Sequence, residues 1–69
     1  METVELKVQG MTCEGCVRSV ARTLERVAGV DRVEVSLAES RARVTYDPAR
    51  ASAADLREAV ERAGYEAPQ

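Results

Sequence analysis

The order in which two hydrophobic periods alternate along this chain constrains its fold more than any other feature. Residues Glu2 to Gln9 place Val4, Leu6 and Val8 on one side and Glu5, Lys7 and Gln9 on the other. That two-residue repeat predicts a strand with one dry face and one wet face. From about Gly15 to Val27 the repeat changes. Val17, Val20, Ala21, Leu24, Val27 and Ala28 follow helical spacing, while Arg18, Arg22 and Arg26 recur every fourth residue on another face. Alternation returns over Val30 to Leu37, with Val33, Val35 and Leu37 against Arg32, Glu34 and Ser36, and again over Arg41 to Tyr46, where Ala42, Val44 and Tyr46 form the dry side. Two amphipathic strands so closely joined predict a hairpin.

A second helical stripe, Leu56, Ala59, Val60 and Ala63, follows Ser52 and Asp55, which resemble a capping box with the shorter Asp in place of Glu or Gln. Gly29 and Gly64 stand where helices stop, and Asp47-Pro48 closes the hairpin because Pro has no N–H for a ladder. Tyr65-Glu66-Ala67 leaves room for a short final strand before Pro68. The order strand, helix, strand, strand, helix, strand predicts an α+β fold, the ferredoxin-like βαββαβ arrangement. It has a four-stranded antiparallel sheet with both helices on one face.

Length and charge remove several function classes. A chain of 69 residues is expected to form one domain over residues 1–69, and it buries only roughly 60% of its unfolded surface, too little for a second core or a deep substrate cavity. Twelve acidic and ten basic residues leave a net charge of −2, and Phe and Trp are absent, so nucleic acid has neither an electrostatic footprint nor stacking platforms here. No apolar run approaches the roughly 20 residues that span a bilayer, and no leader precedes the first strand. The expected location is cytoplasmic, where thiols stay reduced. With no His, no positioned base and no phosphate-cradling loop, no enzymatic activity is expected.

The chemistry concentrates in Gly10-Met11-Thr12-Cys13-Glu14-Gly15-Cys16. The only two cysteines lie three residues apart at the seam between the first strand and the first helix, where unpaired N–H groups and the helix dipole favour thiolate over thiol. Such a pair serves redox exchange, zinc structure or capture of a soft metal such as Cu(I). Zinc normally takes four ligands, and this chain offers two thiols plus carboxylates such as Glu14.

Over nearly its whole length the chain resembles the heavy-metal-associated domain family, the small copper chaperones and amino-terminal metal-binding domains of copper-transporting P-type ATPases. The heptad above carries the resemblance, together with Val27-Ala28-Gly29-Val30, Val33-Glu34-Val35 and Gly64-Tyr65-Glu66-Ala67. It implies that Cys13 and Cys16 hold one Cu(I) ion in a near-linear, exposed site. It also implies that the ion passes by thiolate exchange to a partner, a copper-transporting P-type ATPase metal-binding domain or similar acceptor. Met11 matches a loop methionine that packs inward, and Thr12 matches the copper-type pattern, where zinc-exporting relatives carry Asp. Tyr65 falls where bacterial copper chaperones often have Tyr; there it shields the ion or steadies the thiolates, or else only covers the sheet end.

Arg18 and Arg22, with Arg26, form either a plain solvated face or a docking stripe for an acidic patch on the partner. A chain that begins at Met1 and stops without a linker or membrane segment favours a free-standing carrier over a first ATPase domain. The expected oligomeric state is a monomer, with a metal-bridged dimer as the alternative. Two other functions share the motif. Mercury-binding carriers have the same fold and opening, since Hg(II) also accepts two thiolates in a line. A thiol-disulfide oxidoreductase would use the same C-x-x-C, although this chain lacks Trp, has no Pro between its cysteines and orders its strands differently from thioredoxin.

Overall fold

The computed structural model of the protein describes residues 1–68. Its elements are β1 (Glu2–Lys7), α1 (Glu14–Glu25), β2 (Val30–Ser36), β3 (Arg41–Tyr46) and α2 (Ala53–Arg62). The sheet is antiparallel in the order β1-β3-β2. Its register explains the sequence alternation. Val4, Val44 and Val33 stand in one row and Leu6, Ala42 and Val35 in the next, and the helical stripes Val20, Leu24, Leu56 and Val60 complete the same buried cluster. The opposite face carries the row Glu5, Arg43, Glu34 in solvent.

On that wet face Glu5 accepts from Arg43 at 2.9 Å and from Arg41 at 3.4 Å. The Arg43 hydrogen bond and charge hold the Glu5 carboxyl below its usual range. Exposed pairs of this kind contribute little stability, so the dry face is what holds the sheet to the helices.

The fourth strand expected over Tyr65 to Ala67 reduces to a single antiparallel bridge between Gln9 and Glu66. Gln9 donates to the Glu66 carbonyl at 2.7 Å and Glu66 to the Gln9 carbonyl at 3.0 Å. Hydrogen-bonded antiparallel pairs recur every second residue, so the next pairs would join Lys7 to Pro68 and Met11 to Gly64. Pro68 has no N–H to give, and Gly10, at φ +102°, turns the chain away before Met11. β1 likewise stops at Lys7 instead of reaching Gln9, and β2 stops at Ser36 instead of Leu37.

Helix α1 starts one residue earlier than the spacing predicts and ends two earlier, because its last turn tightens. Arg26 N–H bonds Thr23 and Val27 N–H bonds Leu24, the three-residue pattern of a closing turn. Helix α2 begins on the capping box read from sequence. Asp55 N–H donates to Ser52 Oγ at 3.2 Å and Ser52 N–H to Asp55 Oδ2 at 3.1 Å, so the shorter Asp does reach back.

Two connections need particular backbones. Gly29, at φ +93°, accepts the Asp47 N–H at 2.8 Å, and a Cβ there would lie 2.8 Å from the Arg50 Cβ. The Leu37–Ser40 turn brings Ser40 to φ +54°, and its carbonyl accepts the Val8 N–H at 2.9 Å. That bond joins the hairpin turn to the stretch leading into the cysteine loop.

Candidate metal centre

Local backbone chemistry builds the site from the helix end. Cys13 is the N-cap of α1, with extended backbone (φ −158°, ψ 174°), and its carbonyl accepts from Cys16 N–H at 3.0 Å and Val17 N–H at 3.2 Å. A Ser or Asp at this position would turn its side chain back onto the first-turn amides. Cys13 makes no such bond, and its thiol stays exposed. Cys16, in the first turn, is half-buried.

The two sulfurs lie 3.8 Å apart, well beyond a disulfide bond, and both thiols are free. Thr12 Oγ1 stands 3.8 Å from Cys16 Sγ. Hydrogen bonding from the Thr12 backbone, then from Tyr65, the Thr12 hydroxyl and Cys13, lowers the Cys16 thiol from its ordinary value of 9.0 to about 6. Cys16 is therefore mostly thiolate at neutral pH. Tyr65 shows the reciprocal effect: hydrogen bonding to the Cys16 sulfur pushes its hydroxyl pKa up, while a hydrogen bond with Ser19 pulls it down.

Tyr65 is brought here from the far end of the sequence. The Gln9–Glu66 bridge and a Tyr65 N–H bond to Val60 at 3.3 Å fix its backbone. Its Cδ1 lies 3.5 Å from the place a Gly10 Cβ would occupy, an ordinary van der Waals contact, so the ring lies beside the turn at Gly10. Met11 points the other way, 9% exposed within the core cluster, and serves as packing beneath the loop. Thr12 is exposed beside the sulfurs.

Arg18 and Arg22 are exposed on α1 and with Arg26 line a groove that also includes Gly15, Ser19 and Thr23. The sequence reading missed Ser19, whose only signal was its place one helical turn after Cys16. It also missed the continuity of the arginine groove with the cysteine loop.

The donor set fits a soft, low-coordinate ion. Among the described residues no group of three or more His, Cys, Asp or Glu gathers to hold a metal. At metal–sulfur distances of about 2.3 Å, sulfurs 3.8 Å apart subtend about 110° at an ion, and a linear arrangement needs about 4.6 Å. Linear coordination would need the pair to open by about 0.8 Å, and a bent arrangement would leave room for a third ligand.

A family model described as the heavy-metal-associated domain matches residues 5–66. Human copper-transporting ATPase 2 is 44% identical over 64 residues, which is 93% of this chain and 4% of that protein. This chain spans less than a tenth of the length of the curated relatives it matches. Among solved structures, a copper binding domain from HMA7, a P-type ATPase, superposes with TM-score 0.97 at 40% identity, covering 99% of this chain and 92% of that one. The CopZ metallochaperone superposes with TM-score 0.94 at 28% identity, covering 97% of this chain and all of the other (100%). Both comparisons extend over the cysteine loop, the helices and the Gln9–Glu66 bridge.

Proposed function

This chain belongs to the heavy-metal-associated domain family, and from that membership we propose that it is a soft-metal carrier. It holds one Cu(I) ion between Cys13 and Cys16 and hands it on by thiolate exchange. The observation that carries this reading is the open pair of sulfurs 3.8 Å apart at the start of α1. The relatives' names support copper as the cargo, since a copper-transporting ATPase and a copper binding domain of a P-type ATPase are among them.

The chemistry follows from the asymmetry of the two sulfurs. Cys16, lowered to about 6 and supported by Thr12 and Tyr65, supplies a thiolate at neutral pH without help from the ion. Cys13, exposed at the N-cap, is the sulfur an incoming thiolate can approach. An acceptor cysteine adds to the ion as a third ligand, Cys13 leaves, and a second acceptor cysteine displaces Cys16. No free ion is released, and copper stays in the +1 state throughout. Thr12 and Tyr65 act through Cys16 and do not ligate.

The acceptor in this reading is a metal-binding domain of a copper-transporting P-type ATPase, with Arg18 and Arg22 attracting its acidic surface. The chain is taken as one heavy-metal-associated domain acting as a monomer. No helix among the described residues is long and apolar enough to cross a membrane.

Metal transfer tests the whole proposal. Cu(I)-loaded protein mixed anaerobically with such an acceptor domain should lose its ion through a mixed complex, without copper reaching a chelator held in the buffer. Arg18→Glu with Arg22→Glu should slow that transfer several-fold at low salt and leave the final distribution of metal unchanged. Copper passing only by way of the chelator would contradict direct exchange. A reduced protein that preferred Hg(II) and gave up Cu(I) to a weak chelator would move the cargo to mercury.

A further inference from the structure

Strand β2 forms one edge of the sheet, since the strand order is β1-β3-β2, and the ladder shows which of its backbone groups stay open. The Val8 N–H bonds the Ser40 carbonyl. Hydrogen-bonded pairs recur every second residue, so Leu6–Ala42 and Val4–Val44 are such pairs too, and Ala42 and Val44 turn their N–H and C=O groups toward β1. Arg41, Arg43 and Thr45 therefore turn theirs toward β2, where they meet Ser36, Glu34 and Arg32. The groups of Val33 and Val35 are left pointing outward. Among the described residues no backbone hydrogen bond outside the ladder reaches them.

The side chains along this edge are self-complementary. Val33 and Val35 are half-buried, whereas Ala42 and Val44 beside them on β3 are sealed. Arg32 and Glu34 flank Val33 on the wet face, both exposed, and neither has an ion-pair partner among the described residues. A twofold axis at Val33 sets that residue against its own copy in a hydrogen-bonded pair, and sets Arg32 against Glu34 on either side, in the closer pairs that share no backbone bond. An axis one residue on would set Glu34 against itself. The β1 edge offers no such match, because Glu66 already takes Gln9 there and Arg41 and Arg43 hold Glu5. Above the sheet α1 packs on β2. Its Thr23 and Arg26 share a groove with Asp55 and Arg62 of α2, so the flank toward the β2 edge is the one that carries Ala21, small enough to admit a second helix alongside.

We infer that β2 is a self-association edge, on which a second copy of this chain adds its own β2 antiparallel about Val33. The contact is short, because a bulge between Val30 and Arg32 ends the regular ladder. A bulge and flanking charges keep an edge from open-ended pairing, so the association is transient and stops at two copies. The twofold axis sends the two Ser36 ends in opposite directions. The Leu37–Ser40 turn that follows each Ser36 holds Val8, in the stretch before the cysteine loop. The two cysteine loops therefore lie at opposite ends of the pair, and each copy still delivers its ion singly. Such a dimer needs no metal, and the inference is independent of the cargo.

The test follows the full chain, reduced and metal-free, by sedimentation equilibrium and amide NMR over a dilution series that starts at millimolar concentration and low salt. A monomer–dimer equilibrium should appear, with concentration-dependent shifts concentrated in residues 31–36 and slowed solvent exchange at the Val33 and Val35 amides. Arg32→Glu and Glu34→Arg should each weaken the dimer about ten-fold, since two attractive cross-strand pairs become repulsive. The double variant, Arg32→Glu with Glu34→Arg, should restore it. Lys7→Glu, the same change of charge as Arg32→Glu but on the other edge, should leave the dimer intact, and so should Cys13→Ser with Cys16→Ser.

A protein that stays monomeric at millimolar concentration would overturn the inference. So would a dimer that either single charge variant leaves intact, that the double variant fails to restore, or that disappears with the two cysteines. None of these results touches the two-sulfur copper site, which stands or falls on metal titration.

Discussion

Gln9 and Glu66 exchange two backbone hydrogen bonds, at 2.7 and 3.0 Å, and so fasten the end of the chain to the root of the cysteine loop. This single bridge takes the place of a fourth strand. It has a chemical consequence, because the residue before Glu66 is Tyr65, whose ring lies beside Gly10 and whose hydroxyl supports Cys16.

Tyr65→Phe removes a hydrogen-bond donor from the Cys16 thiolate while leaving the ring beside Gly10. The Cys16 thiol should then titrate above its present value of about 6, with the Thr12 backbone still holding it below 9.0. Thiolate absorbance followed against pH in the metal-free protein reads this directly. An unchanged titration would mean that the tyrosine only covers the sheet end.

The same thiol makes stability depend on pH. Its folded pKa is depressed, so its contribution is fully present above the unfolded value near 9.0 and is lost as pH falls through about 6. The melting temperature of the reduced metal-free protein should therefore rise from pH 6 to pH 9 relative to that of Cys16→Ser, in which this contribution is missing. A difference that is flat with pH, or that falls, would contradict the assignment.

Two glycines of nearly equal φ should respond differently to alanine. Gly64, at +97°, has nothing within 4 Å of an added Cβ, so Gly64→Ala should cost only the left-handed backbone penalty of about 1–2 kcal/mol. Gly29→Ala adds a contact of 2.8 Å with the Arg50 Cβ and should cost at least about 1 kcal/mol more, as overpacking does. Urea unfolding of both variants gives the comparison. Equal losses would show that the Asp47–Ala51 turn yields freely.

Ser52→Ala breaks one arm of the capping box on α2, the bond from Asp55 N–H to Ser52 Oγ, and keeps the Ser52 N–H that Asp55 Oδ2 accepts. The expected loss is about 1 kcal/mol in denaturant unfolding, with copper binding retained because the cap lies away from the cysteine loop. A loss near zero would mean that water caps this helix as well as serine does.

What could be read from the residues alone follows from the range of the interactions involved. The alternations of Val4-Leu6-Val8 and Ala42-Val44-Tyr46 and the stripe Val20-Leu24 are local patterns, and the sheet and helices follow them. The Ser52–Asp55 cap is local too. The failed fourth strand depends on whether Lys7 finds a donor at Pro68 and whether Gly10 turns away, facts of pairing between distant segments.

The cysteine loop was legible because Cys13 and Cys16 lie only three residues apart in sequence. Their inequality was not. That Cys13 caps α1 in the open while Cys16 is half-buried against Thr12 and Tyr65 arises from the helix starting at Glu14, for which Cys13 gives no ordinary capping signal. The charge of the arginine stripe was plain, but its continuity with Gly15 required the folded surface.

Titration of the reduced protein with Cu(I), under anaerobic competition with chelators of known affinity, bears most directly on the carrier assignment. One equivalent should bind, and Cys13→Ser or Cys16→Ser should each weaken it by orders of magnitude, because a hydroxyl is a poor ligand for a soft ion. Retention of full affinity after either substitution, or no uptake by the unaltered protein, would contradict the assignment of this sulfur pair as the copper site.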